Sequence, residues 1–178
     1  MQDNALIELF LPIITAGLTA AGYTGVATSA SFQPTRQGVN SQPTVYFFKV
    51  GDHRYGFLKR FDKWDTVSEM MIHTEIQNYE TTFQVSAWVI QNPASISYTA
   101  SDLVNSVAQI MQSEATVNTL NASNVGILRV EPVLNPYFID DKDRYEASPS
   151  FTFTLTHKQV STVPIPVIQF VEYDIFPI

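Results

Sequence analysis

The sequence predicts an α+β fold: a mixed, mostly antiparallel β-sheet with helices packed on one face, plus a long β-hairpin or extended strand. Three observations carry it. Helix-period segments stand at the start and near the middle of the chain, with strand-period segments between and after them, an order that favours helices on one face of a sheet. Phe151, Phe153 and Leu155 alternate with Thr and Ser, so one sheet face can stay polar. A β pattern also runs from about Met70 to Ile90, far beyond the roughly six residues of an ordinary strand.

The elements follow in order. Leu6, Leu9, Phe10, Ile13, Ile14 and Leu18 recur at helical spacing. Asp3 or Asn4 caps this helix, and Gly22 and Gly25 end it. Pro12 predicts a kink, or the first turn of a second piece. The apolar run from Leu6 to Gly22 holds Glu8, Pro12 and Gly17 and falls short of the ~20 residues of a membrane span. Asp3 precedes it where a signal peptide would be positive, so the chain reads as soluble when made. Residues 24–44 read as a loop with a short strand near Phe32, and Val45 to Val50 as a central strand. Residues 51–66 read as an irregular loop. The β pattern from Met70 is either one projecting element or two strands with a tight turn near Gln77 and Asn78. Thr99 and Asp102 have capping-box spacing and open a helix with Leu103, Val104, Val107, Ala108, Ile110 and Met111 on one side. A short helix from Glu114 to Asn121 and a strand from Ile127 to Val133 follow. Asn135 to Ser148 is a polar loop, and Val167 to Ile175 the last strand. The expected organisation is one domain over 1–178, with an N-terminal helix in 1–25 and the sheet and helix pair in 26–178.

At 178 residues such a chain buries about 70% of its unfolded surface and needs no staple. Cysteine is absent, which removes disulfide scaffolds, Cys-based metal sites and thiol catalysis. The net charge of −7 argues against a generic nucleic-acid coat, which works by neutralising phosphates. Charged residues are only 15%, against about 25% in common soluble domains. Ser, Thr, Asn and Gln make up 51 of the 178 residues. A surface poor in charge and rich in neutral polar groups suits permanent protein contact; it also suits a quiet monomer.

The chemistry search finds little. His53, His73 and His157 stand in no metal or protease motif. Asp140, Asp141 and Asp143 are the densest acidic cluster, but the glycine of a calcium loop is missing. No catalytic residue, cofactor site or metal site is assigned. Charge distribution says more. Lys49, Arg54, Lys59, Arg60 and Lys63 face only Asp52 and Asp62 within 49–63, a local charge of +3, with Tyr55, Phe57, Phe61 and Trp64 interleaved. Residues 76–178 carry −6. Arg, Tyr and Trp are favoured interface anchors, and basic aromatic loops also bind single strands. The candidate subunit or partner interface is therefore Lys49, Arg54, Tyr55, Lys59, Arg60, Phe61, Lys63, Trp64, Asp140, Asp141, Asp143 and Arg144. A positive patch near Lys59 and a negative one near Asp141 would complement each other head to tail, as in a closed ring. The candidate projecting hairpin carries His73, Glu75, Gln77, Asn78, Tyr79 and Glu80. The apolar stretch Tyr173 to Ile178 either docks on a partner or finishes the sheet.

Several segments together carry a family resemblance. They are Asp52-His53-Arg54-Tyr55-Gly56, His73-Thr74-Glu75, Tyr79-Glu80-Thr81-Thr82-Phe83-Gln84, Ala100-Ser101-Asp102-Leu103-Val104-Asn105 and Gly126-Ile127-Leu128-Arg129-Val130. Asn135-Pro136-Tyr137-Phe138, Glu146-Ala147-Ser148-Pro149-Ser150-Phe151 and Leu155-Thr156-His157-Lys158 complete the series. In order and spacing, over roughly residues 30–178, the chain resembles the neck or tail-terminator proteins of tailed bacteriophages. The resemblance implies a ring, generally of six subunits, at the head–tail junction of the virion, assembled in the host cytoplasm. Such a ring stops tail-tube growth, joins the tube to the head connector and neck proteins, and lets DNA pass its lumen without specific binding. It implies no enzyme activity, no cofactor and no membrane. The alternatives are a small α+β nucleic-acid-binding module using the basic aromatic loop 49–64, or an unrecognised hydrolase.

Overall fold

The computed structural model describes residues 2–30, 42–89, 98–139 and 145–165. Helix α1 spans Asp3–Ala20, α2 Ala100–Gln112 and α3 Glu114–Ala122. The strands are β1 Ala27–Ala30, β2 Thr44–Asp65, β3 Met70–Trp88, β4 Gly126–Val130, β5 Tyr137–Ile139, β6 Tyr145–Ala147 and β7 Ser150–Ile165. Five of them form one sheet in the order β1-β2-β3-β7-β4, and β5 and β6 form a separate ribbon. Among the described residues only the β1–β2 pair of this sheet is parallel, so the sheet is mixed and mostly antiparallel, as the alternation predicts.

Apolar period positions cluster where they can exclude water. Leu6, Ile7, Phe10, Ile14 and Leu18 of α1 meet Val45 and Phe47 of β2, Phe83 and Val85 of β3, and Phe151, Phe153 and Leu155 of β7. Leu103, Val104, Val107 and Met111 of α2 and Leu120 of α3 close the same cluster. The Phe10 ring is its centre, with centroids 5.4, 5.0 and 5.5 Å from Phe47, Phe83 and Phe153. Tilted and edge-on aromatic contacts at that spacing add about 0.5–1.5 kcal/mol each beyond burial. On the sheet's other face Thr82 and Thr154 bond each other at 3.0 Å.

The predicted α2 cap is present in full. The Asp102 amide donates to the Thr99 hydroxyl and the Thr99 amide to the Asp102 carboxylate. The Thr99 amide, and after it the Thr99 hydroxyl, donate to the Asp102 carboxylate and hold it below its ordinary range. The α1 expectations need correction. Its N-cap is Gln2, without a side-chain cap bond. Asp3 is the first helical residue, and its carboxylate is turned to Lys49 instead. Pro12 lies inside one continuous helix. By length and composition α1 is apolar enough to cross a membrane; in the fold its apolar stripe is buried against the sheet.

The largest difference lies at 51–66. This segment is not a loop: β2 continues through it to Asp65, paired with β3 all the way to Met70. Two bulges hide the alternation from a sequence reading. Val50 is extra between Lys49 and Gly51, and between Tyr55 and Lys59 the three residues Gly56, Phe57 and Leu58 stand against Gln77 alone. The single extra residue flips the side-chain period, and the longer irregularity interrupts the pairing. β3 runs unbroken through Gln77 and Asn78, so no tight turn divides it. The polar loop at 135–148 contains the β5–β6 ribbon. The expected strands near Phe32 and over Val167 to Ile175 lie outside the described residues.

Candidate functional site

The three longest strands outrun the helices. β1 pairs with β2 only as far as Phe47, and β4 with β7 only as far as Thr156. β2, β3 and β7 continue in register, with Met71 pairing Trp64 on one side and Ile165 on the other. The result is a three-stranded arm, about 35–40 Å long at the ordinary rise per residue. From His53 to Trp64 and from His157 to Ile165 none of its positions belongs to the core cluster.

A polar chain closes the core where the arm begins. The Lys49 ammonium donates to Asp3 at 2.7 Å and to Asp52 at 2.5 Å. The Thr81 hydroxyl donates to Asp52 at 2.7 Å. Its oxygen is then left to accept from His157 Nε2, 2.9 Å away. His157 stacks on Tyr79 with centroids 5.7 Å apart, and the Arg54 guanidinium lies 5.6 Å from the Tyr79 centroid. Burial pulls the Lys49 ammonium down, but its bonds to Asp3 and Asp52 more than offset this and leave its pKa above the ordinary value. Burial raises Asp52, and the Lys49 and Thr81 bonds overcome it to hold the carboxyl low. Burial depresses His157, so the imidazole is neutral near pH 7.

Along the arm, cations and acids alternate across strands. Arg60 Nε bonds Glu75 at 2.8 Å. His73 Nδ1 bonds Asp62 at 2.6 Å, and its Nε2 is 3.6 Å from Glu75. The Asp62 bond raises the His73 pKa. His53 lies 3.6 Å from Glu80. The Lys59 ammonium sits 5.6 Å from the Phe61 centroid on the opposite face. The hairpin turn after Asp65 is held by the Ser68 hydroxyl at 2.6 Å. That bond, with the Val67 and Ser68 amides, keeps the Asp65 carboxyl low. Between His53 and Glu80, with His157 to Ile165, five Lys or Arg balance five Asp or Glu. The segment 49–63 is a strand and not a loop, with Glu75 and Glu80 of β3 facing its cations.

The arm also exposes apolar side chains. Phe57, in the second bulge, is 101% exposed, and Val67 at the tip 91%. Phe61, Trp64, Met70, Val160, Val163 and Ile165 are also exposed. The bulge that presents Phe57 is built, not incidental. Gly56 takes φ +71°, a left-handed conformation that glycine adopts without penalty. The Gln77 amide donates to the Tyr55 carbonyl at 2.8 Å and to the Gly56 carbonyl at 3.5 Å.

The arm thus gathers Arg54, Tyr55, Lys59, Arg60, Phe61, Lys63 and Trp64 from β2 with His73, Glu75, Gln77, Asn78, Tyr79 and Glu80 from β3. Lys49 stands apart at its base, tied to α1. Asp140, Asp141, Asp143 and Arg144 lie outside the described residues, as does Tyr173 to Ile178. Phe57, Val160, Val163 and Ile165 were not singled out as anchors; the signal for the last three was the long β pattern continuing past His157. Among the described residues no three His, Asp or Glu side chains are gathered to hold a metal ion.

The sequence pattern of the E217 gateway protein gp29 matches residues 5–167. No curated protein matches the chain. Among solved structures, the sheath/tube terminator of an extracellular contractile injection system (PVC), in its extended state, is similar at 12% identity with a TM-score of 0.37. The match covers 93% of this chain and 64% of that one. The chain thus spans less than two thirds of that protein's length, and so loose a likeness fixes neither fold nor function.

Proposed function

The chain belongs to the family of the E217 gateway protein gp29, a phage head–tail gateway, and from that premise we propose that it is a non-enzymatic structural subunit of a ring at the head–tail junction. The ring ends the tail tube, joins it to the head connector and neck proteins, and lets DNA through. The observation that carries this reading is the family match over 5–167. The arm supports it physically. A chain that leaves Phe57 and Val67 almost wholly in water keeps an apolar surface that another protein is expected to cover. A ring of about six copies, each of net charge −7, carries roughly −40, and acidic walls repel phosphates over about a Debye length, ~8 Å at physiological salt. DNA then passes without sticking.

Light scattering across protein concentration is the test, followed by incubation with purified tail tubes. The expected result is a discrete mass several times 20.0 kDa, free or formed on the tube end, and tubes that stop elongating. A chain that stays monomeric and leaves tube growth unchanged overturns the proposal.

A further inference from the structure

The arm has two outer edges, and they differ. On β7 the pairing with β3 runs without a bulge from Ser150 to Ile165, so the edge is flat. Over Gln159–Val163 it is Gln, Val, Ser, Thr and Val, uncharged and rich in β-branched residues. None of the devices that blunt an edge, such as a bulge, a charge or a short length, falls in that stretch; Pro164 ends it. On β2 the wide bulge at Gly56 breaks the edge nearer the body, and a second regular stretch, Lys59–Asp65, begins just beyond it. Among the described residues no strand lies beside either stretch.

The two stretches stand at the same height. Through β3, Lys59 is level with Val160, Arg60 with Ser161, Phe61 with Thr162 and Asp62 with Val163. Both strands also run outward, since each is antiparallel to β3. A rotation that sets copies side by side with arms parallel therefore brings β7 of one beside β2 of the next, level for level. The uncharged edge meets the charged one, so no like charges oppose. On one face exposed Val160 gains the neighbour's Phe61 and the stem of its Lys59 as cover, and on the other Val163 gains the stem of its Arg60.

We infer that adjacent copies of this chain join edge to edge, β7 of one arm pairing in parallel with β2 of the next, so that the arms close into a continuous barrel. The contact is heterologous, which closes when the rotation closes, and it uses backbone hydrogen bonds for strength and alternate side chains for selectivity. It rests on the ring reading above and says how that ring is sealed.

The chain has no cysteine, which makes disulfide trapping clean. Arg60→Cys is combined in turn with Gln159→Cys, Ser161→Cys and Val163→Cys, three positions on its face that bracket the stagger a barrel needs. Within one arm β2 and β7 flank β3 and lie about 9–10 Å apart, beyond the ~7 Å reach of a disulfide, so any bond formed joins two copies. After mild oxidation of the assembled protein, one of the three pairs gives a ladder of covalent multimers on a denaturing gel, and the single-cysteine parents give at most dimers. A full assembly mass with no ladder from any pair overturns edge pairing and leaves the ring reading standing. A chain that stays monomeric, gives no ladder and leaves tube growth unchanged overturns both. Should a variant misfold, hydrogen exchange on the unaltered chain decides: amides of Gln159–Val163 gain at least tenfold protection on assembly, and unchanged exchange there sinks the inference.

Discussion

The body and the arm share three strands and obey different rules. In the body, one face of β2, β3 and β7 is covered by α1 and α2, and Val45, Phe47, Phe83, Val85, Phe153 and Leu155 are almost completely buried. A few residues further along the same strands both faces meet water, and the side chains become ion pairs, threonines and exposed aromatics. The body stabilises itself by removing apolar surface from water. The arm cannot, and holds its shape through cross-strand pairs worth about 0.2–1 kcal/mol each and through strands already ordered at their base. Such a division places stability in one half of the molecule and contact surface in the other.

The comparison breaks most sharply at Phe10. Phe10→Ala empties the place where Phe47, Phe83 and Phe153 converge and is expected to cost about 3–5 kcal/mol, read from the urea midpoint. A loss under ~1 kcal/mol would mean that the helix–sheet core is not what holds the body. Gly17→Ala probes the α1–α2 contact next. A methyl there would meet the Ile110 side chain at 2.8 Å, and overpacking of that kind costs about 1–3 kcal/mol. Adding Ile110→Ala should recover part of the loss, since it removes the clashing atoms.

The arm should answer differently. Phe57 is fully exposed and touches no core residue, so Phe57→Ser should shift unfolding by no more than ~0.5 kcal/mol. Its effect is expected in assembly, as a weaker oligomer by light scattering at unchanged urea midpoint. A large drop in monomer stability would show that the bulge packs within the chain after all.

The same division decides what the sequence could reveal. The body was legible because burial enforces period: α2 was readable from its capping box and apolar side, and β7 from Phe151, Phe153 and Leu155. The arm's second strand was not. With no buried face there is no strict alternation, and the bulges at Val50 and at Gly56 to Leu58 reset what remains. Segment 51–66 therefore read as a loop with a positive charge, although the acids that answer Arg60 and His73 were present in sequence. Glu75 lies fifteen residues from Arg60, and only pairing across the hairpin makes them neighbours. Asp3 misled for a related reason: its position suits a cap, but the Lys49 ammonium at 2.7 Å competes for the same carboxylate.

The smallest expected effect separates the two halves by sign. His157, at the end of the core, is held below the ordinary histidine value of about 6.5, chiefly by burial. Its native site favours the neutral ring, so its contribution is present above that value and is lost as pH falls below it and the unfolded chain takes up the proton first. His73, on the arm, is raised by Asp62, with Glu75 beside it and Val163 on the β7 side. Its contribution is full below about 6.5 and is lost as pH rises through the higher folded value. Protection factors between pH 5 and 8 should therefore move in opposite directions: amides around Thr81 and His157 weaken toward acid, and those around Asp62 and His73 weaken toward base. His73→Gln should flatten the second trend and leave the first intact. Parallel trends in both regions would mean that the arm and the body open as one unit, and the division drawn between them would fall.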